Sequence, residues 1–452
     1  MFNVLPHGIP NKCNILYINC DFPPISGPGI WRALWFTRYL SEAGFQTTVL
    51  CSDKSNWCER KDLTLLNLIL PGIKVQRINN ILLLDIIEKI NSFFIIQKFP
   101  IFMKIMNGLK WRIKKYCRYP YLFWFLKATI FSIIFVLKNK STCIISSGPP
   151  HVSHICGWIA SKFGDTIRIM DFRDLWTDDP YKSPQSGYQR KLFIILENKM
   201  IRSANAFVTV SPTWRNYFRD KFADLKDKDK YHLIRNGHNI EDSVFEISSQ
   251  RNVASKLHIH CSGTPQANSK TNALLESLCN LRKKGIPEEQ FPLFTFTGIE
   301  DDMKEETIIR DLEGCIQDVS FIPFKESIEY SFKSDVLLIM VNNSFYLQRG
   351  TIPAKTYEAM ALGRHILAIV PKESDVKELL MQYGNATICD VDDIDDISNK
   401  LMDIIKKYQD GELDRKNDES KRYNNFYKYS RKYQANKLID LINSLQGNNI
   451  AK

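Results

Sequence analysis

Asn14-Ile-Leu-Tyr-Ile-Asn-Cys-Asp-Phe-Pro-Pro-Ile-Ser-Gly-Pro-Gly29, with the residues behind it up to Cys51, decides the fold. Asn14 to Asn19 is short, apolar and followed by turn residues, which predicts a buried strand. Asp21 to Gly29 is a Pro/Gly-rich turn. Trp31, Leu34, Trp35, Tyr39 and Leu40 then recur at helical spacing until Gly44 stops them, and Thr47 to Cys51 supplies a second strand. Strand, glycine loop, helix, strand is the unit from which doubly wound nucleotide folds are built.

The same punctuation continues outward. Strands are predicted at Cys143 to Ser146, Ile167 to Met170, Ala206 to Val210 and His232 to Ile234, with helices between them. After the polar segment Asn239 to Asn252 a second series begins, with strands at Leu257 to His260, Leu293 to Thr297, Val319 to Ile322, Val336 to Met340, His365 to Ile369 and Ala386 to Cys389. The sequence therefore predicts an α/β protein of two doubly wound halves. The expected division is an N-terminal domain over 1–240, a linker at 241–252, a C-terminal domain over 253–425, and a C-terminal helix with a frayed tail over 426–452.

Of the 452 residues, 44% are hydrophobic and 12% aromatic, which excludes a disordered tail, linker or low-complexity scaffold. The formal charge is +11, and +9 of it falls between Ile81 and Lys140, where eleven basic residues meet only Asp85 and Glu88. Phe, Tyr and Trp are interleaved with those cations, a mixture that fits an anionic membrane surface better than nucleic acid. No nucleic-acid partner is expected. Tyr119 to Leu137 comes nearest to a membrane span, but Lys127 at its middle would cost about 2.5–3.5 kcal/mol on insertion scales, so a surface or core helix is expected. The eleven cysteines are odd in number, scattered and without zinc spacing, and read as reduced thiols; no metal site is expected. The first residues lack the basic-then-apolar pattern of a signal peptide. The expected location is cytoplasmic, peripheral on the inner face of the cytoplasmic membrane.

Four loops stand where open parallel sheets bind ligands, beyond the carboxyl ends of strands. Ser26-Gly-Pro-Gly29 lets a phosphate or backbone approach closely at Gly27 and Gly29, or is an ordinary turn. Ser146-Ser-Gly-Pro-Pro-His151 opens a helix, placing Ser147, Gly148 and His151, with His154 beyond, toward a cleft; capping or packing is the alternative reading. Asp171-Phe-Arg-Asp-Leu-Trp176 puts two carboxylates and a guanidinium, Asp171, Arg173 and Asp174, within four residues. These orient sugar hydroxyls or a phosphate, or form an internal salt bridge. Arg349-Gly-Thr-Ile-Pro-Ala-Lys-Thr-Tyr-Glu358 leads into a helix that Gly363 stops, with Thr351 suited to cap it and Pro353 to its first turn. Lys355 and Glu358 share one face near its start, as ligands for a diphosphate and a ribose or as a surface pair.

Taken in order, these loops resemble the glycosyltransferase family 4 enzymes of GT-B architecture, in the branch that builds bacterial surface polysaccharides. Phe22 to Gly29 with Arg32, Ser147 to Pro150, Asp171 to Trp176, Val208 to Ser211, Arg235-Asn-Gly237 and Pro353 to Glu358 carry the resemblance, from about Asn14 to about Ile405. It implies two Rossmann-like domains, a C-terminal helix that returns to the first, and sugar transfer from a nucleotide-diphosphate donor with retention and without metal or other cofactor. Glu358 matches the ribose-binding glutamate, and Lys355 lies beside the diphosphate. Gly263, Thr264 and Lys270 match the phosphate-holding loop. The acceptor, a glycan or lipid-linked oligosaccharide, would meet the first half near Gly27, Gly29 and Asp171 to Asp174.

Two positions depart from the family pattern. Gly350 stands where many members carry a second glutamate eight residues before the first, and Thr264 where an arginine is frequent. Backbone amides of Gly350 to Ile352, or Arg349, are the candidates to replace the lost contacts. Two alternatives share the architecture: a non-hydrolysing nucleotide-sugar epimerase, for which no acid/base pair can be assigned, and a membrane-docked binding protein that has lost turnover.

Overall fold

The computed structural model describes residues 13–27, 29–53, 61–79, 122–179, 187–225, 228–240, 256–262, 271–297, 312, 314–319, 322–342, 346–413 and 426–450. The chain packs as two units, one of Met1–Thr209, Phe222–His232 and Ala435–Lys452, the other of Val210–Lys221 and Leu233–Gln434.

The first unit holds a seven-stranded sheet of order β3-β2-β1-β4-β5-β6-β7. Its strands are β1 (Asn14–Ile18), β2 (Thr47–Ser52), β3 (Lys74–Ile78), β4 (Thr142–Gly148), β5 (Thr166–Phe172), β6 (Ala206–Thr209) and β7 (Tyr231–Leu233). Helix α1 (Ile30–Glu42) follows the Gly29 turn, and Gly44, at φ +86°, ends that turn of chain before β2. Helices α2 (Leu122–Lys138), α3 (Val152–Ala160) and α4 (Gly187–Arg202) come from the later crossovers. Leu16, Ile18, Leu50 and Ile144 meet Trp124, Ala128 and Val136 of α2 in one core. Each fully buried Leu or Ile among them contributes about 1.5–3 kcal/mol of transfer free energy. The candidate span at Tyr119 to Leu137 is thus, from Leu122, a helix with one face in the core. Among the described residues no helix is long and apolar enough to cross a membrane.

The second unit holds a six-stranded parallel sheet, β10-β9-β8-β11-β12-β13. Its strands are β8 (His258–Cys261), β9 (Leu293–Phe296), β10 (Ile316–Asp318), β11 (Val336–Met340), β12 (His365–Val370) and β13 (Ala386–Asp390). Its helices are α5 (Pro212–Lys221), α6 (Thr271–Lys283), α7 (Phe324–Lys333), α8 (Ala354–Leu362), α9 (Asp375–Tyr383) and α10 (Ile394–Gln409). Cores lie on both faces of the sheet, Leu338, Leu367 and Ile369 on one, Leu337, Ile339 and Ala368 on the other, as strand alternation requires. Helix α11 (Arg431–Ile450) starts in this unit and runs into the last segment of the first.

Three local expectations need correction. Strand β3 has no counterpart in the sequence reading: it is an edge strand of which only Ile78 is buried, so it carries little apolar signal. Strand β10 lies at Ile316–Asp318 rather than Val319 to Ile322, because pairing to β9 starts at the Phe294 amide, which donates to the Cys315 carbonyl at 2.7 Å. Thr351 does not cap α8. Pro353, at ψ 139°, is still extended, so the helix begins after it, and the Thr351 amide donates back to Gln348. Gly363 ends α8 at φ +67°, as expected.

Candidate active site

In open parallel sheets the crevice opens where strand order reverses, here between β1 and β4 in the first unit and between β8 and β11 in the second.

In the first crevice the strands run further than expected. β4 continues through Gly148 and β5 through Phe172, with Ser147 opposite Asp171 and Gly148 opposite Phe172. Asp171 and Ser147 are therefore buried strand residues, not loop residues. Arg32 makes a strand carboxylate tolerable there: its Nε donates to both oxygens at 3.1 and 2.9 Å, and its Nη2 to Oδ1 at 2.8 Å. Ser147 Oγ donates to Oδ2 at 2.9 Å, and the two charged side chains are 2% and 4% exposed. Burial first, then the Asp171 charge, raises the Tyr17 phenol beside them well above its ordinary pKa.

Arg173 closes the loops rather than extending from them. Its guanidinium donates to the carbonyls of Gly29 and Pro149, and its amide donates to Gly148 at 2.9 Å. A Cβ at Gly29 would lie 2.6 Å from Arg173 Nη1, so glycine is what lets the guanidinium sit against that turn. Nε2 of His151 lies 3.1 Å from the Leu175 carbonyl, and its ring stacks on Trp176. His154 is fully buried with Nδ1 2.9 Å from Ser146 Oγ, and burial pushes its pKa well below the ordinary value. Gly148 passes between the two rings: a Cβ there would be 2.8 Å from a nitrogen of each. Gly27 and Asp174 are half-buried. Of the residues expected to act on substrate here, Asp171 and Arg173 are bonded into the unit itself, while His151 and Asp174 flank them.

In the second crevice, α8 carries both expected ligands. Lys355 Nζ donates to the Ser262 carbonyl at 3.2 Å, which ties the start of α8 to the end of β8. Gly263, Thr264 and Lys270, from the next residue onward, lie outside the described residues. Glu358 Oε1 accepts from Arg431 Nη2 at 2.8 Å, with side chains 13% and 1% exposed. Burial raises the Glu358 pKa, and Arg431 and Lys355 oppose the rise. Pro353 gives α8 no side-chain cap, and the Thr356 amide donates back to the Pro353 carbonyl at 3.0 Å.

Arg431 and Trp214 are neighbours of the candidate site that the sequence did not point to. Arg431 is brought beside α8 by the chain around Gly237, whose neighbour His238 accepts from the Arg431 amide at 2.7 Å. Trp214, on α5, donates Nε1 to the Leu347 carbonyl at 2.7 Å, and its ring would lie 2.5 Å from a Cβ at Gly350. The indole thus occupies the space into which a side chain at 350 would project. Arg349, a candidate to replace the missing glutamate, is ion-paired with Glu373. Among the described residues no group of three or more His, Cys, Asp or Glu is placed to hold a metal ion.

No family model and no curated protein matches the sequence. Solved structures do. The chain is similar to a sucrose-phosphate synthase from Thermosynechococcus elongatus, 12% identical at a TM-score of 0.60 over 96% of this chain and 100% of that one. It is similar to S. aureus TarM in a complex with fondaparinux, alpha-GlcNAc-glycerol and UDP, again 12% identical, with a TM-score of 0.60 over 96% and 100%. A putative UDP-N-acetylglucosamine 2-epimerase from Listeria monocytogenes matches at 12% identity and a TM-score of 0.52 over 96% of each chain. Such identities establish a shared fold, and that fold is GT-B, two doubly wound α/β units.

Proposed function

We propose that the protein is a retaining glycosyltransferase, of family 4 type, that moves a sugar from a nucleotide-diphosphate donor to a glycan or lipid-linked oligosaccharide. Its setting in this reading is bacterial surface polysaccharide synthesis (O-antigen, capsule or exopolysaccharide) at the inner face of an anionic membrane. The observation that carries the proposal is Glu358 held by Arg431 one helical turn from Lys355, at the switch point of the second sheet. A carboxylate offers about four acceptor positions, so one bond to Arg431 leaves capacity for ribose hydroxyls.

In the proposed reaction the anomeric carbon–oxygen bond to the diphosphate breaks and the acceptor hydroxyl oxygen bonds that carbon on the same face. The hydroxyl proton leaves with the diphosphate. Charge grows on the leaving group, where Lys355 and the partial positive charge at the start of α8 oppose it, so neither a protein nucleophile nor a metal is needed. The first unit takes the acceptor, along the loops that Arg173 closes.

The test is to screen nucleotide sugars by melting temperature and then to follow release of free nucleoside diphosphate with acceptor present. A donor at a hundredfold its Kd stabilises the native state by about 2.7 kcal/mol. Glu358→Gln should lose about half of the shift while remaining folded. An unchanged shift in that variant, or no shift with any donor, overturns the reading. The likeness to the putative epimerase supports a second reading, which return of an isomerised, intact nucleotide sugar without free diphosphate would favour.

A further inference from the structure

Helices α2, α3 and α4 lie side by side in the first unit, α2 packing on α3 and α3 on α4. Their inner faces are buried, Trp124 and Ala128 of α2 and Met200 and Ile201 of α4 among them. Their outer faces are apolar as well. On α2, Leu126, Ile130, Ile134 and Leu137 recur every three or four residues and are 44–65% exposed. On α4, Tyr188, Leu192 and Ile195 repeat that spacing, and Phe163 is exposed in the turn after α3. The neighbouring Gly164 sits against Val136 of α2, which places this turn at the end of the α2 stripe. Eight of the thirteen large hydrophobic side chains exposed among the described residues belong to this one layer.

Its charge is equally one-sided. α2 and α3 contain no Asp or Glu, and the only carboxylate of α4, Glu197, is fully buried and accepts from the Thr177 amide. Lys127, Lys138, Lys162, Lys191 and Lys199 are exposed around the apolar stripes. No acidic residue occurs anywhere from Lys89 to Gly164.

We propose that the outer face of α2, α3 and α4 is a docking surface for an anionic phospholipid bilayer. Apolar side chains in stripes enter the headgroup and acyl boundary, and the bordering ammonium groups reach lipid phosphates. A second copy of the chain fits less well, since a two-fold contact would set five lysines against themselves, with Asp165 in the Phe163 turn and Asp224, already paired with Arg202, as the exposed carboxylates at its edge. The proposal deepens the membrane part of the reading above and rests on it only for that setting. It adds α3 and α4, which lie outside the basic stretch recognised in the sequence.

The full chain is sedimented with phosphatidylglycerol vesicles and with phosphatidylcholine vesicles. The variants are Ile130→Gln/Ile134→Gln, Leu192→Gln/Ile195→Gln and Lys127→Glu/Lys191→Glu, all at exposed positions, with melting temperature as the check on folding. Wild type should bind phosphatidylglycerol in a salt-sensitive way, and each variant should lose about tenfold or more in vesicle affinity. Undiminished binding by the α4 variant, or equal binding to both lipids, overturns the proposal. So does a wild-type dimer that the apolar substitutions dissociate. A donor-induced melting shift retained in the variants that lose vesicle binding supports both readings. If the shift is missing in wild type, glycosyl transfer fails while lipid docking stands.

Discussion

At the crevice between β1 and β4, Asp171 of β5 is engaged on both oxygens by Arg32 and Ser147 at 4% exposure, whereas at the crevice between β8 and β11, Glu358 of α8 meets Arg431 through one oxygen at 13% exposure. Both are carboxylate–guanidinium pairs at the switch point of a doubly wound sheet. The first is sealed on all sides and joins β5 to α1 and β4. The second keeps acceptor capacity next to a lysine and an uncapped helix start. A cluster of charges after a buried strand therefore identifies a place where charge is kept out of water; the saturation of its acceptors decides whether it clamps the fold or takes a ligand.

The largest test of that contrast is Asp171→Asn. Leaving Arg32 buried without its carboxylate should cost about 3–5 kcal/mol in urea unfolding. A variant of native stability with lost turnover would instead make the two crevices alike. Next comes a pair of glycines. Gly350→Ala drives a Cβ to 2.5 Å from the Trp214 ring and should cost about 1–3 kcal/mol, whereas Gly29→Ala meets the flexible end of Arg173 and should cost less. Trp214→Ala should recover much of the Gly350→Ala loss in a double-mutant cycle, and additive losses would refute the assigned clash.

Glu358→Gln should weaken donor binding about tenfold, near 1.4 kcal/mol, and change stability less than Asp171→Asn does. Its pH signature has two opposite signs. Because burial holds the folded pKa above the unfolded value of 4.5, the native state keeps this proton to higher pH. Stability from this group then falls as pH rises between 4.5 and the folded value, while donor affinity rises as the carboxylate ionises. Denaturation midpoints and donor Kd across that window should show both slopes in wild type and neither in Glu358→Gln. The smallest effect belongs to Arg349→Gln. Its partner Glu373 is 74% exposed, so stability should move by about 0–1 kcal/mol, and salt should erase the difference.

The sheets were legible because buried parallel strands are short apolar runs between turn residues; Val336–Met340 was read to the residue. Edge strands are not constrained in that way, which hid Lys74–Ile78 and displaced Ile316–Asp318. At the second crevice, Lys355 and Glu358 were legible because helical periodicity puts them on one face. Arg431 was not, since it is 73 residues from its partner in a Tyr- and Lys-rich segment with no local pattern pointing to it. Trp214 escaped for the same reason, 133 residues from the carbonyl it binds. Gly350 looked in the sequence like a lost acid; the indole packed against it gives a steric reason for glycine.

The boundaries at Thr209, Lys221, His232 and Gln434 mean that the polypeptide changes unit four times between its ends. Neither unit is one continuous run of sequence. A single proteolytic cut releases neither of them whole, and a single gene-fusion junction exchanges neither with a relative. Recombination that sought to transplant the second unit alone would have to bring Val210–Lys221, with Trp214, together with the later segment through Arg431. Change at the crevice of the second unit is therefore constrained to point substitutions, or to replacement of both segments at once.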